Sequence, residues 1–95
     1  PAGVYHATVF HQFAGRLGPS AIVCDHSREG LLYVARPEAP DCSDKGVISV
    51  LSPEGVVMRE WEVPGPDVSS LALSPDAKYL YFTDATNNKV YRMLL

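Results

Sequence analysis

Several side chains in this sequence are of types that can do chemistry. Asp25 and His26 are adjacent. A carboxylate beside an imidazole can work as an acid/base pair or as two ligands of one metal. The plainer reading, which the residues favour, is a turn aspartate followed by an exposed histidine. His6 and His11 are five positions apart; on a strand an odd spacing puts them on opposite faces, so they form no local metal site. Glu38, Asp41 and Asp44 fall in one irregular stretch. They could gather around a cation, but a solvated acidic loop is the simpler account. Cys24 and Cys42 lack a CxxC or Cys/His ligand spacing. They read as two free thiols, with a single disulfide as the alternative. No G-x-S-x-G, P-loop or G-x-G-x-x-G motif occurs.

The elements that must position these residues are strands. Helical periodicity is nearly absent, and short apolar runs alternate with turn residues. The pattern predicts strands over Val4 to Phe10, Gln12 to Arg16, Ser20 to Asp25, Leu31 to Ala35, Val47 to Leu51, Val56 to Glu62, Val68 to Ser74, Tyr79 to Thr83 and Lys89 to Leu94. Ser52-Pro53-Glu54-Gly55 places proline at the second position of a type I turn and glycine where a hairpin bulge needs positive φ. Ser74-Pro75-Asp76-Ala77-Lys78 repeats that start with alanine in the glycine position. Asn87-Asn88 suits a tight hairpin. Leu31-Leu32-Tyr33-Val34 and Tyr79-Leu80-Tyr81-Phe82 are apolar on both faces. Antiparallel strands of that kind need a neighbour on each face, as in stacked sheets.

Composition bounds the rest. The chain has 95 residues, 46% of them hydrophobic, with eight Lys+Arg against eleven Asp+Glu and a net charge of −3. That fits one globular unit at most and argues against a disordered tail. The longest uninterrupted apolar run is Leu31 to Ala35, far below the roughly 18 residues of a membrane span. Mild acidity and scattered basic residues give no footprint for nucleic acid. The start Pro1-Ala2-Gly3, without an initiator methionine, leads us to expect a cut or processed chain.

A repeat organises the strands. Ile22 and Cys24 align with Leu71 and Leu73, and Leu32-Tyr33-Val34 with Leu80-Tyr81-Phe82; with Gly3-Val4 on Gly46-Val47 the period runs from 43 to 49 residues. Four short strands per period is the size of a β-propeller blade. An immunoglobulin-like sandwich needs Cys, Trp, Cys in order, whereas here the order is Cys24, Cys42, Trp61. The expected fold is therefore all-β: consecutive four-stranded antiparallel blades of an incomplete propeller. Residues 4–16 read as the outer two strands of one blade, 20–62 as a complete blade and 68–94 as three strands of the next. Tyr5, Tyr33, Tyr79, Tyr81, Tyr91 and the three phenylalanines, Phe10, Phe13 and Phe82, are expected to fill the wedge between blades.

The stretch Leu71-Ala72-Leu73-Ser74-Pro75-Asp76-Ala77-Lys78-Tyr79-Leu80-Tyr81-Phe82-Thr83-Asp84, followed by Asn88-Lys89-Val90-Tyr91-Arg92, resembles the blade motif of the gluconolactonase and senescence-marker-protein family. Strictosidine-synthase-like and NHL-repeat propellers carry similar blades. The resemblance implies a six-bladed propeller with a divalent cation such as calcium in its channel, held by oxygen ligands at the starts of inner strands and able to polarise a lactone carbonyl. Aligned by motif, those channel positions are Ser20 and Ser69 here, where the family carries an amide or carboxylate. No cofactor is expected on this segment itself. Two functions remain open: a metal-dependent lactone or ester hydrolase with its ligands on other blades, or a non-catalytic NHL-like scaffold for protein partners. The expected partners are the remaining blades or other copies of the chain, and a small-molecule lactone in the first case. In the family pattern Asp84 is mainly a turn and hydrogen-bond anchor.

Overall fold

A computed structural model describes residues 6–14, 18–37 and 45–95. Seven strands form two antiparallel sheets: β1 (Ala21–Asp25), β2 (Leu31–Arg36), β3 (Lys45–Leu51) and β4 (Val57–Pro64) in one, and β5 (Val68–Leu73), β6 (Tyr79–Asp84) and β7 (Lys89–Leu94) in the other. Each sheet is a meander whose neighbours in space are neighbours in sequence. Tyr33 pairs with Val23 and Val50, and Phe82 with Leu71 and Tyr91.

Local chemistry sets the hairpins. Gly55, at φ +86°, donates its amide to the Ser52 carbonyl at 3.0 Å, and Ser52 closes the turn by donating to Val56 at 2.8 Å. In the second hairpin Ala77 takes the same left-handed conformation at φ +57° and donates to Ser74. The Ser74 hydroxyl and the Asp76 carboxylate accept the Tyr79 and Lys78 amides, an arrangement that holds the turn without glycine. Asn88 supplies the positive φ between β6 and β7.

The sheets stack where β1 and β2 meet β5. Tyr33, Ala35, Ile48, Val50 and Val63 pack against Val68, Leu80 and Phe82 in one apolar cluster. Trp61 stacks on Tyr33, with ring centroids 5.9 Å apart, and Tyr91 on Phe82 at 5.0 Å. Of the tyrosines expected in the wedge, Tyr33 and Tyr91 join this cluster, while Tyr79 lies beneath the Arg92 guanidinium.

Residues 6–14 depart from the expected outer strands, because none of this segment lies in a ladder. A strand needs a hydrogen-bonding neighbour, and here side chains anchor the segment instead. His11 Nδ1 donates to the Gly55 carbonyl at 2.9 Å, Arg36 donates to the Ala14 carbonyl, and the Arg36 guanidinium covers the Phe13 ring. Residues 1–5, 15–17 and 38–44 lie outside the described part, so the readings for Val4, Tyr5, Glu38, Asp41, Cys42 and Asp44 fall outside it too. Cys24 is a free, half-buried thiol.

Candidate functional site at the starts of β1 and β5

The structure brings Ser20 to the start of β5. Its hydroxyl donates to the Val68 carbonyl at 2.6 Å, and its amide donates to Ala35. The hydroxyl thus ties the two sheets together where their first strands begin. Ser69 sits one residue beyond Val68, at an irregularity in the β5–β6 register: Val68 opposes Asp84, while Ser70 opposes Thr83. The extra residue re-aims its side chain, as bulges do. The Ser69 hydroxyl consequently lies 2.9 Å from the Thr83 hydroxyl in a shared hydrogen bond. Sequence reading missed Thr83 as a partner, since the bulge that pairs them has no glycine to mark it.

Asp25 and His26 separate in role. Asp25 ends β1 and is fully buried, capping the 3-10 turn His26–Arg28. Its carboxylate accepts from the Ser27 amide at 3.1 Å, the Ser27 hydroxyl at 2.6 Å, Arg28 at 2.7 Å and the Tyr33 hydroxyl at 2.8 Å. Burial pushes its pKa up, but the hydrogen bonds from Ser27, Arg28 and Tyr33 and the Arg28 charge outweigh burial and hold it at about 2. Burial and the neighbouring carboxylate push Tyr33 up to about 12. A carboxylate so fully hydrogen-bonded stays ionised through neutral pH and is unsuited to exchange protons. His26 is exposed on the turn and makes no hydrogen bond with Asp25. Arg28 and Tyr33 were not singled out by type, although the Asp-x-Ser spacing of Asp25 and Ser27 signals an Asx turn.

Arg28 also donates to the Ala77 carbonyl in the other sheet at 2.7 Å. Asp84 is buried, with one oxygen accepting from Asn87 at 2.6 Å and the other without a partner. Gly65, at φ +97°, packs its backbone directly over that carboxylate. His6 is exposed, apart from His11 and its Gly55 contact.

Two stacked meanders of short strands, joined at their first strands and repeated about 48 residues apart, are the architecture of neighbouring propeller blades. The family described as SMP-30/Gluconolactonase/LRE-like region matches residues 1–86. The chain belongs to this family. No curated protein and no solved structure matches it. The fold is accordingly a gluconolactonase-like all-β propeller architecture, seen here as one four-stranded and one three-stranded sheet.

The divalent cation that the family resemblance implies can be tested against the residues present. Among the described residues no three His, Cys, Asp or Glu side chains gather. The Ser20 hydroxyl is committed to Val68 and the Ser69 hydroxyl to Thr83. A hydroxyl is also a weaker donor to a hard cation than a carboxylate or amide oxygen. The described residues therefore do not fit such an ion. Among them, no helix is long and apolar enough to cross a membrane.

Proposed function

We propose that this gluconolactonase-like chain forms part of the wall of a six-bladed propeller that hydrolyses a lactone or ester, with the working ligands and acid/base groups on other blades. The match over residues 1–86 is the observation that carries this reading. The role of this chain is to build the wall: Ser20 and Ser69 line the channel ends of β1 and β5 as small hydroxyl-bearing residues, and the stacked sheets hold those ends in place. Hydrolysis of a panel of sugar lactones and aryl esters by the complete propeller, with calcium, zinc or manganese present and again after chelation, tests it. Turnover that disappears on chelation supports the hydrolase. No turnover under any condition removes it.

The second reading is a non-catalytic, NHL-like scaffold. It is favoured by one observation, that both channel positions carry serines already spent on structural hydrogen bonds. A stable protein partner whose footprint maps to one propeller face, with no lactone turnover, supports this alternative.

A further inference from the structure

We infer that residue 69 decides whether the described part of this chain lends a ligand to a channel cation. Ser69 withholds one by its side-chain type, whereas the Ser20 position is closed by the way the two sheets join. The inference rests on the proposed reading, in which the working ligands lie on other blades, and adds which position here sets the metal chemistry.

The two positions look alike in the sequence, each a serine at the start of an inner strand, Ser20 before β1 and Ser69 in β5. Their surroundings differ. Ser20 faces two backbone oxygens. Its hydroxyl donates to the Val68 carbonyl at 2.6 Å and lies 3.5 Å from the Ala35 carbonyl, which also accepts the Ser20 amide at 2.9 Å. A hydroxyl meets those oxygens with a proton. A carboxylate has only lone pairs, so an aspartate at position 20 sets negative charge against two carbonyl oxygens and breaks the join between β1 and β5. A strong ligand at position 20 therefore comes only at the expense of the blade boundary.

Position 69 imposes no such demand. Buried Val68 opposes Asp84 and Ser70 opposes Thr83, which leaves Ser69 as the extra residue, off the ladder and exposed. Its hydroxyl meets the Thr83 hydroxyl at 2.9 Å, and either can be the donor. That partner tolerates the exchange of a hydroxyl for a carboxylate or amide oxygen. Thr83 then donates its proton, one oxygen accepts it, and lone pairs remain for a cation. The bulge has already turned residue 69 out of the pairing at the start of an inner strand. What the position lacks is a strong donor oxygen.

Calorimetric titration of calcium and of manganese into the complete propeller tests this, with melting temperatures taken in chelator. Ser69→Ala is expected to leave cation affinity unchanged, because the serine contributes no ligand. Ser69→Asp is expected to tighten it by about tenfold or more, as added ligand charge does, and to melt in chelator close to wild type. Ser69→Asn, which adds no charge, is expected to shift affinity in the same direction by less, and it carries the test if the aspartate variant does not fold. Ser20→Asp is expected to melt lower and to gain no affinity.

Weaker binding in Ser69→Ala overturns the inference, since the serine is then a ligand itself. Affinities in Ser69→Asp and Ser69→Asn no tighter than wild type also overturn it, as does a Ser20→Asp variant that keeps its melting temperature and gains as much as Ser69→Asp. Lactone turnover is measured on the same samples. Turnover by wild type with no gain in Ser69→Asp removes only this inference. A gain in Ser69→Asp with no turnover in any sample removes only the hydrolase, and the absence of both removes both.

Discussion

Arg28 donates a hydrogen bond to the backbone carbonyl of Ala77, forty-nine residues away, at 2.7 Å. The same guanidinium holds Asp25, so one side chain joins the turn after β1 to the equivalent turn after β5. Ser20 makes the matching connection at the other end of β1, to Val68 forty-eight residues on. The two sheets are thus pinned at both ends of one strand, each pin spanning one repeat.

Replacing Asp25 removes the acceptor that four donors share. Asp25→Ala leaves the buried Tyr33 hydroxyl without its partner and frees Arg28. The expected cost is about 2–4 kcal/mol, from unpaired buried groups, read as a lower denaturation midpoint in urea. Arg28→Met should also destabilise, by less, because its head is partly in solvent. Equal midpoints for wild type and both variants would remove the pin.

The Asp25 pKa makes stability pH-dependent. Its carboxyl titrates at about 2 in the folded chain and at about 3.9 unfolded. A depressed folded value contributes stability that is complete above pH of about 4 and is lost as pH falls toward 2. Two pH units correspond to about 2–3 kcal/mol. Tyr33 acts oppositely at the alkaline end. Its value of about 12 lies above the ordinary 10, so its contribution is lost as pH rises from 10 to 12. Midpoints measured between pH 2 and 5 should fall steeply for wild type, and the Asp25→Asn variant should lose part of that slope.

Gly65 has no room for a methyl group. A Cβ there would sit 2.7 Å from the Asp84 carboxylate, on a backbone at φ +97°. Gly65→Ala is expected to cost more than about 2 kcal/mol through combined strain and collision. A melting temperature within a degree of wild type would show that the β4–β5 connection relaxes freely.

Ala77 presents the opposite case. It holds a left-handed conformation, at φ +57°, that favours glycine, and its carbonyl rather than its methyl makes the inter-sheet contact. Ala77→Gly is expected to stabilise by about 0.5–1 kcal/mol, since relief of the left-handed strain exceeds the added chain entropy. A fall in melting temperature would contradict this.

Ser69→Ala is expected to change stability by about 0.5 kcal/mol or less, because its bond to Thr83 is exposed to water. Ser20→Ala should cost about 1 kcal/mol through the lost bond to Val68. Thermal melts of the two single variants and the double variant check both values and their additivity.

The seven strands of the described sheets were legible because each is a local pattern. Apolar runs such as Leu31 to Ala35, bounded by Gly30 and Pro37, and Tyr79 to Phe82, bounded by Pro75 and Asn88, restrict backbone angles residue by residue. The expected strands and the observed ones differ at most by about two residues at their ends. The repeat made the stacking legible as well, since strands apolar on both faces need neighbours on both. By itself the sequence determined the all-β class, the order of the strands, the hairpin chemistry and the family.

Only the tertiary structure decided the use of the polar side chains. Ser20 and Arg28 find their partners about forty-eight residues away, across a boundary whose geometry depends on how two sheets pack. Asp25 reads in the sequence as a turn residue, with acid/base chemistry as the alternative, and only the fold supplies its four donors from Ser27, Arg28 and Tyr33. Residues 6–14 read as strands by alternation yet form none among the described residues, because pairing is a property of two segments and alternation a property of one. Hydrogen-bond partners remote in sequence are set by packing, and packing is what the order of residues encodes only collectively.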